Sequence, residues 1–152
     1  MTTINRIKIG GFKRLQNVDL PVRPFMVLIG ANGVGKTSFL DAFSILSASA
    51  SGNLNKTLSQ FGGIVNLLTR GKSEDLSLLV DMTAPGHEPL EYELRLAPKG
   101  SGYSISGEVL CRRRQGVHDP FKHIDSSDGD IRYYETEGNR LVRPNWEYNP
   151  LE

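Results

Sequence analysis

The chain has 152 residues, 38% of them hydrophobic and 23% charged, with a single cysteine, Cys111, and a net charge of +1. Those figures suit one folded domain and exclude wholesale disorder, an internal disulfide framework, a strongly basic nucleic-acid coat and an acidic tail protein. The near-neutral total hides an asymmetry. Residues 1–72 carry nine Lys/Arg against Asp19 and Asp41 alone, whereas residues 73–152 carry nine against fifteen acids. The front part therefore suits a polyanionic ligand. No apolar run approaches the roughly 20 residues of a membrane helix, and residues 1–6 lack the apolar core of a signal peptide. The expectation is a cytoplasmic protein with no membrane partner.

In chain order, Ile4, Ile7 and Ile9 recur near period two and predict a strand that Gly10 and Gly11 break. Residues 15–22 predict a second extended segment, punctuated by Pro21 and Pro24. Phe25, Met26, Val27, Leu28 and Ile29 form a wholly apolar run bounded by Pro24 and Gly30, which predicts a buried, central, parallel strand. After a glycine-rich stretch, Phe39, Leu40, Phe43 and Leu46 follow at helical spacing, and the helix fades into residues 47–52. Residues 58–68 predict a weaker helical or irregular segment, interrupted by Gly62 and Gly63. From Leu76 the period changes to two: Leu76, Leu78, Val80 and Met82, then Tyr92, Leu94 and Leu96, then Tyr103, Ile105 and Val109. With turn residues between them, these predict an antiparallel meander. Residues 125–130 predict a polar loop, and residues 131–134 with 141–142 a hairpin around Glu137, Gly138 and Asn139.

The glycine-rich stretch carries the chemistry. Gly30, Ala31, Asn32, Gly33, Val34, Gly35, Lys36 and Thr37, followed by Ser38, match G-x-x-x-x-G-K-[ST] between an apolar run and a helix. The chemistry needs these residue types. Glycines at 30, 33 and 35 let the backbone curl at positive φ. Successive N–H groups then converge on a phosphate, and the helix N-terminus adds its partial positive charge. Lys36 supplies an ammonium for the β- and γ-phosphates, and Thr37 a hydroxyl for Mg²⁺. The implied ligands are a nucleoside triphosphate and Mg²⁺, and ATP over GTP comes only from the family resemblance of these residues.

Residues 30–43, with Asn32-Gly33 in the loop and Leu40-Asp41-Ala42 after it, resemble the phosphate loop of ABC-type P-loop ATPases, closest to the RecF, SMC and overcoming-lysogenization-defect-like AAA group. The opening Ile7, Lys8, Ile9, Phe12, Lys13, Arg14 and Leu15 is similar to the first strand of those chains, with Gly11 where they commonly have Asn. The resemblance is specific over residues 4–46. It implies an α/β, mixed α+β fold: a P-loop NTPase half-domain with an antiparallel β-subdomain. Residues 1–72 would form the nucleotide-binding core and residues 73–152 the β-subdomain. It further implies that Asn32 shapes the loop near the γ-phosphate and that Lys13 and Arg14 lie near the ribose or α-phosphate. Gln60 becomes the candidate glutamine at Mg²⁺ and the attacking water. It also implies homodimerisation through the ATPase head of a longer protein, with DNA as a possible further partner.

Hydrolysis in that family needs an apolar strand ending in Asp-Glu and a Leu-Ser-Gly-Gly-like signature, and this sequence contains neither. The expectation is an N-terminal part of a larger ATPase, without its C-terminal lobe, that binds nucleotide and hydrolyses it weakly. Leu151 and Glu152 are as readily a cloning scar as native residues. A rival reading, a small phosphotransferase, would use Asp81 at Mg²⁺, although Leu78, Leu79, Val80 and Asp81 equally suit one strand of the meander. A second rival is a non-enzymatic, nucleotide-gated interaction module. Arg112, Arg113 and Arg114 read as a charged strand edge. His118, Asp119, His123 and Asp125 match no metal spacing. Cys111 reads as a small buried residue, and Phe121, Trp146 and Tyr148 as packing at a core edge.

Overall fold

The computed structural model describes residues 2–112, 120–127, 129–135 and 140–142. Eight strands run through them: β1 (Thr3–Phe12), β2 (Leu15–Pro21), β3 (Leu76–Thr83), β4 (Leu90–Lys99), β5 (Gly102–Arg112), β6 (Phe121–Ser127), β7 (Tyr133–Glu135) and β8 (Arg140–Val142). They form one sheet in the order β2-β1-β3-β4-β5-β6-β7-β8, and each neighbouring pair is antiparallel. Two helices, α1 (Lys36–Ala50) and α2 (Leu54–Gln60), and a 3-10 turn (Ile64–Leu67) are inserted between β2 and β3. The sheet thus draws strands from both residues 1–72 and residues 73–152.

The period-two pattern does what alternation requires. Ile7 and Ile9 of β1, Leu76, Leu78 and Val80 of β3, and Leu94 and Leu96 of β4 are buried on one face. Register aligns them in rows: Ile9 opposite Leu78, itself opposite Leu94, and Leu76 opposite Leu96. Phe39, Ala42, Ile45 and Leu46 of α1, Leu54 and Leu58 of α2, and Ile64 and Leu67 close over these rows to form the core. The opposite face is charged. Arg6 donates paired hydrogen bonds to the Asp19 carboxylate, which lies opposite Lys8 across the β1–β2 pair. That arrangement holds Asp19 below and Arg6 above their ordinary pKa values. The end of α1 is pinned to the sheet through Tyr92, whose hydroxyl donates to Glu108 at 2.8 Å and lies 3.1 Å from Ser49 Oγ. Burial pushes the Tyr92 phenol above its ordinary pKa.

Several expectations are corrected. Gly10 and Gly11 do not end β1, which runs on to Phe12. They are needed for close approach instead: a Cβ on Gly10 would stand 2.5 Å from Ser77 Oγ, and one on Gly11 would meet the Asp75 carbonyl. Residues 25–29 are not a buried parallel strand. They take no strand pairing, and Phe25 and Ile29 are 83% and 91% exposed. The strands β1 to β8 satisfy one another in antiparallel pairs, and no described strand pairs with this run. In α1, Leu40 is 61% exposed and Phe43 only partly buried, because Phe39, Ala42, Ile45 and Leu46 take the inward stripe. Asp125, Ser126 and Ser127 belong to β6 and not to a loop, since Val109, Glu108 and Gly107 of β5 pair with them in turn.

The antiparallel meander from Leu76 and the pairing of β7 with β8 follow the sequence pattern. The expected turn at Glu137, Gly138 and Asn139 lies outside the described residues, as do Arg113, Arg114, His118, Asp119, Asp128, Trp146, Tyr148, Leu151 and Glu152. Arg112 pairs with Glu88 at 3.0 Å and lies over the Phe121 ring, and Cys111 is buried. Among the described residues no helix is long and apolar enough to cross a membrane.

Candidate functional site

The glycine-rich stretch stands at the start of α1, the longer of the two described α-helices. Gly35 is its N-terminal boundary residue, and the first helical hydrogen bond runs from the Phe39 N–H to the Gly35 carbonyl at 2.9 Å. Helix geometry leaves the N–H groups of Lys36, Thr37 and Ser38 without acceptors inside the helix. No side chain caps this end and no acid stands in its first turn. A helix of 15 residues therefore presents unquenched donors and its positive dipole end to the loop.

Gly33 and Gly35 hold φ at 82° and 117°, in the region that favours glycine. Gly30 does not share that conformation. Its Cβ position is closed instead by Val34, whose Cγ2 would lie 2.9 Å away. Gly35 is constrained twice, because a Cβ there would also stand 2.9 Å from Leu15 Cδ2 and 3.7 Å from Arg14 Cβ. The β1–β2 turn therefore packs directly on the glycine loop. Together they enclose a cavity of about 180 Å³ lined by Arg14, Asn32, Gly33, Gly35, Lys36, Thr37 and Ser38. The Lys36 ammonium folds back over the loop and donates to the Gly30 and Ala31 carbonyls at 2.6 and 2.7 Å. Those acceptors are neutral, so an oxyanion in the cavity would compete for the ammonium with a stronger, charge-assisted bond.

The remaining sequence candidates separate. Arg14 lines the cavity. Lys13 does not: it adopts a left-handed conformation (φ 48°), and its ammonium sits 2.6 Å from Asp41 Oδ2 and 4.4 Å from the Phe61 ring centre. Its role on this geometry is to tie the β1–β2 turn to α1. Gln60 is exposed at the end of α2 and is absent from the cavity wall. Asp81 lies on the charged face of the sheet, lining a different cavity with Arg6, Lys8 and Glu91, so it is not brought to Lys36 and Thr37. Thr37 is the exposed hydroxyl of the wall, and no described carboxylate lines it. Among the described residues no cluster of His, Cys, Asp and Glu could hold a metal ion. Arg70 and Lys72, which stand beside Arg14 in an adjoining cleft, were not signalled by period or motif. Only the excess of cations in residues 1–72 pointed toward them.

Comparison with known proteins places the glycine loop within a family match. A family model described as "AAA domain, putative AbiEii toxin, Type IV TA system" matches residues 25–151, beginning at the exposed apolar run and taking in the glycine loop. A protein named OLD nuclease from Thermus scotoductus is 35% identical over 43 residues. That stretch covers 28% of this chain and 8% of the relative, so the chain matches only a small part of that protein's length.

Proposed function

The chain belongs to this AAA-domain family of P-loop NTPases, and on that premise we propose that it binds Mg-ATP through residues 30–38. The observation that carries the reading is the cavity in which Lys36, Thr37 and the unquenched start of α1 converge. On this reading the β- and γ-phosphates lie against the N–H groups of residues 35–38. The Lys36 ammonium leaves the Gly30 and Ala31 carbonyls for phosphate oxygens. Asn32 shapes the loop at its outer side, and Arg14 reaches the phosphates from the β1–β2 turn.

The donor set fits a Mg²⁺ ion that arrives with its nucleotide. Thr37 offers one hydroxyl, the wall holds no described carboxylate, and Mg²⁺ commonly completes its shell with phosphate oxygens and water. When bound, the ion would neutralise charge shared by the β- and γ-oxygens. The described residues of the wall can position and stabilise phosphate, and none of them is a base for the attacking water. This chain is therefore proposed to bind ATP and to hydrolyse it weakly. In a longer protein the exposed run 25–29 would gain strand neighbours, and turnover and head-to-head dimerisation would follow from segments not present here. The cytoplasm is the compartment we propose, from the sequence expectation.

Thermal unfolding with and without Mg-ATP, beside Lys36→Ala, tests the binding step. Ligand at about 100 times its dissociation constant should stabilise the chain by about 2.7 kcal/mol, a rise in Tm of several degrees for a domain of this size. Loss of that rise in Lys36→Ala supports the reading. No rise in the parent chain at saturating nucleotide overturns it.

A further inference from the structure

Strand β5 runs on past the end of β6. Gly107 to Arg112 pair with β6, whereas Tyr103, Ser104 and Ile105 pair with β4 alone, with Ser106 as the extra residue of a bulge between the two stretches. The outer edge of residues 103–105 thus carries backbone N–H and C=O groups with no partner among the described residues. At this step lies a hollow of about 440 Å³ whose wall includes Lys99, Ser104, Ile105, Glu108 and Ile131. Ile105 and Ile131 are 39% and 46% exposed there. Among the described residues of the wall, Glu108 is the one acid and Lys99 the one cation.

The walls are fixed. Ser127 and Asp130 exchange backbone hydrogen bonds at 3.2 and 2.8 Å, and the Arg132 N–H donates to the buried Ser126 Oγ at 3.1 Å. That closed turn holds Ile131. Glu108 is oriented by the Tyr92 hydroxyl, which donates to it at 2.8 Å. Lys99 is exposed, has no acid partner among the described residues, and pairs with Gly102 at the far end of β5. The two charges therefore stand at opposite ends of the hollow, separated along β5 by roughly 20 Å of strand rise. A segment that continues the line of β6 runs antiparallel to β5. Its N-terminal end lies toward Glu108, and its C-terminal end reaches Lys99.

We propose that this step in the sheet docks the C-terminal end of a partner polypeptide as an added strand. The open edge supplies main-chain hydrogen bonds, and alternate apolar side chains of the added strand enter between Ile105 and Ile131. The charges select a basic residue at the Glu108 end and a free terminal carboxylate at Lys99, about six residues apart. The site is independent of the nucleotide reading. The probe is a fluorescein-labelled hexapeptide, Lys-Thr-Thr-Val-Thr-Val, ending in a carboxylate or an amide and titrated by anisotropy into the whole 152-residue chain. The acid form should bind, and amidation should weaken it by about two- to fivefold, the worth of an exposed ion pair. Lys99→Gln should abolish that preference, whereas Lys56→Gln, which removes the same charge from α2, should keep it. Ile131→Ser should weaken both forms, with thermal unfolding confirming the fold of each variant. N-methylation at every second peptide residue should block binding in one register and spare it in the other, because only alternate residues of an added strand bond to β5. The proposal is overturned by no binding at millimolar peptide, by an acid preference that survives Lys99→Gln, or by equal binding of the two N-methylated peptides. Shifts of the Ile105 and Ile131 amide resonances with ω-aminohexanoate, without peptide binding, would assign the hollow to a small zwitterion and overturn it as well.

Discussion

Residues 25–29 and strand β3 (Leu76–Thr83) are both rich in large apolar side chains, yet they have opposite fates. In β3 the apolar residues alternate, so one face enters the core while Ser77, Leu79 and Asp81 stand on the other. Antiparallel neighbours on both edges satisfy its backbone. In the run 25–29 no residue is polar, so both faces need cover and both edges need partners. Neither is available among the described residues, and Val27 is 64% exposed beside the still more open Phe25 and Ile29. Apolar composition thus decides the kind of environment a segment needs; whether that environment exists is a property of its neighbours.

The sharpest way to break this comparison is to truncate both segments. Leu78→Ala should cost about 2–5 kcal/mol, as expected for a buried leucine. Ile29→Ala, at the 91% exposed end of the run, should stay within about 0.5 kcal/mol. Urea unfolding of the two variants measures the difference, and equal losses would show that residues 25–29 are packed in solution. The glycine loop gives the next largest contrast. Gly35→Ala meets both an unfavourable φ and Leu15, and should cost about 1–3 kcal/mol and reduce the Mg-ATP shift. Gly33→Ala meets only the φ, with open space around it, and should cost about 1 kcal/mol.

A smaller effect is expected at the join between loop and sheet. Asp41→Asn removes the partner of Lys13 and should cost about 0.5–1 kcal/mol, given the partial exposure of both side chains. The same variant should loosen the turn that carries Arg14, which nucleotide titrations would register. The least effect concerns β6, toward the far edge of the sheet. Burial, with Arg112 adding to it, lowers the His123 pKa from its ordinary value. The folded chain therefore holds fewer protons there than the unfolded one. This contribution to stability is complete above about pH 6.5 and is lost as pH falls below that value. His123→Phe should flatten that part of a stability-against-pH curve, and an unaltered slope would assign the acid sensitivity to another group.

Much of the fold was legible because its signals are local. Alternation at Leu76, Leu78 and Val80 reports a half-buried strand wherever it occurs, and the spacing of Gly30, Gly35 and Lys36 reports a loop that can only close on a helix start. Other features were illegible for an equally physical reason. That Gly10 and Gly11 continue β1 depends on Ser77 and Asp75, which approach them from more than sixty positions away. That Lys13 turns to Asp41 while Arg14 faces the cavity depends on a single left-handed residue at the turn.

The sequence by itself determined the phosphate loop, the helix after it, the antiparallel meander and the burial of Cys111, because each is encoded in spacing or composition within a short window. Only the tertiary structure decided that β1 and β2 join the meander in one sheet, that Asp81 and Gln60 stand away from Lys36, and that Arg14, Arg70 and Lys72 share a cleft. Those outcomes depend on long-range pairing and on the hydrogen bonds of the turn at Thr69, which bring distant residues together by closing the chain on itself. The run 25–29 marks the boundary between the two. Its demand for burial is written in its residues, and its supply of neighbours is not.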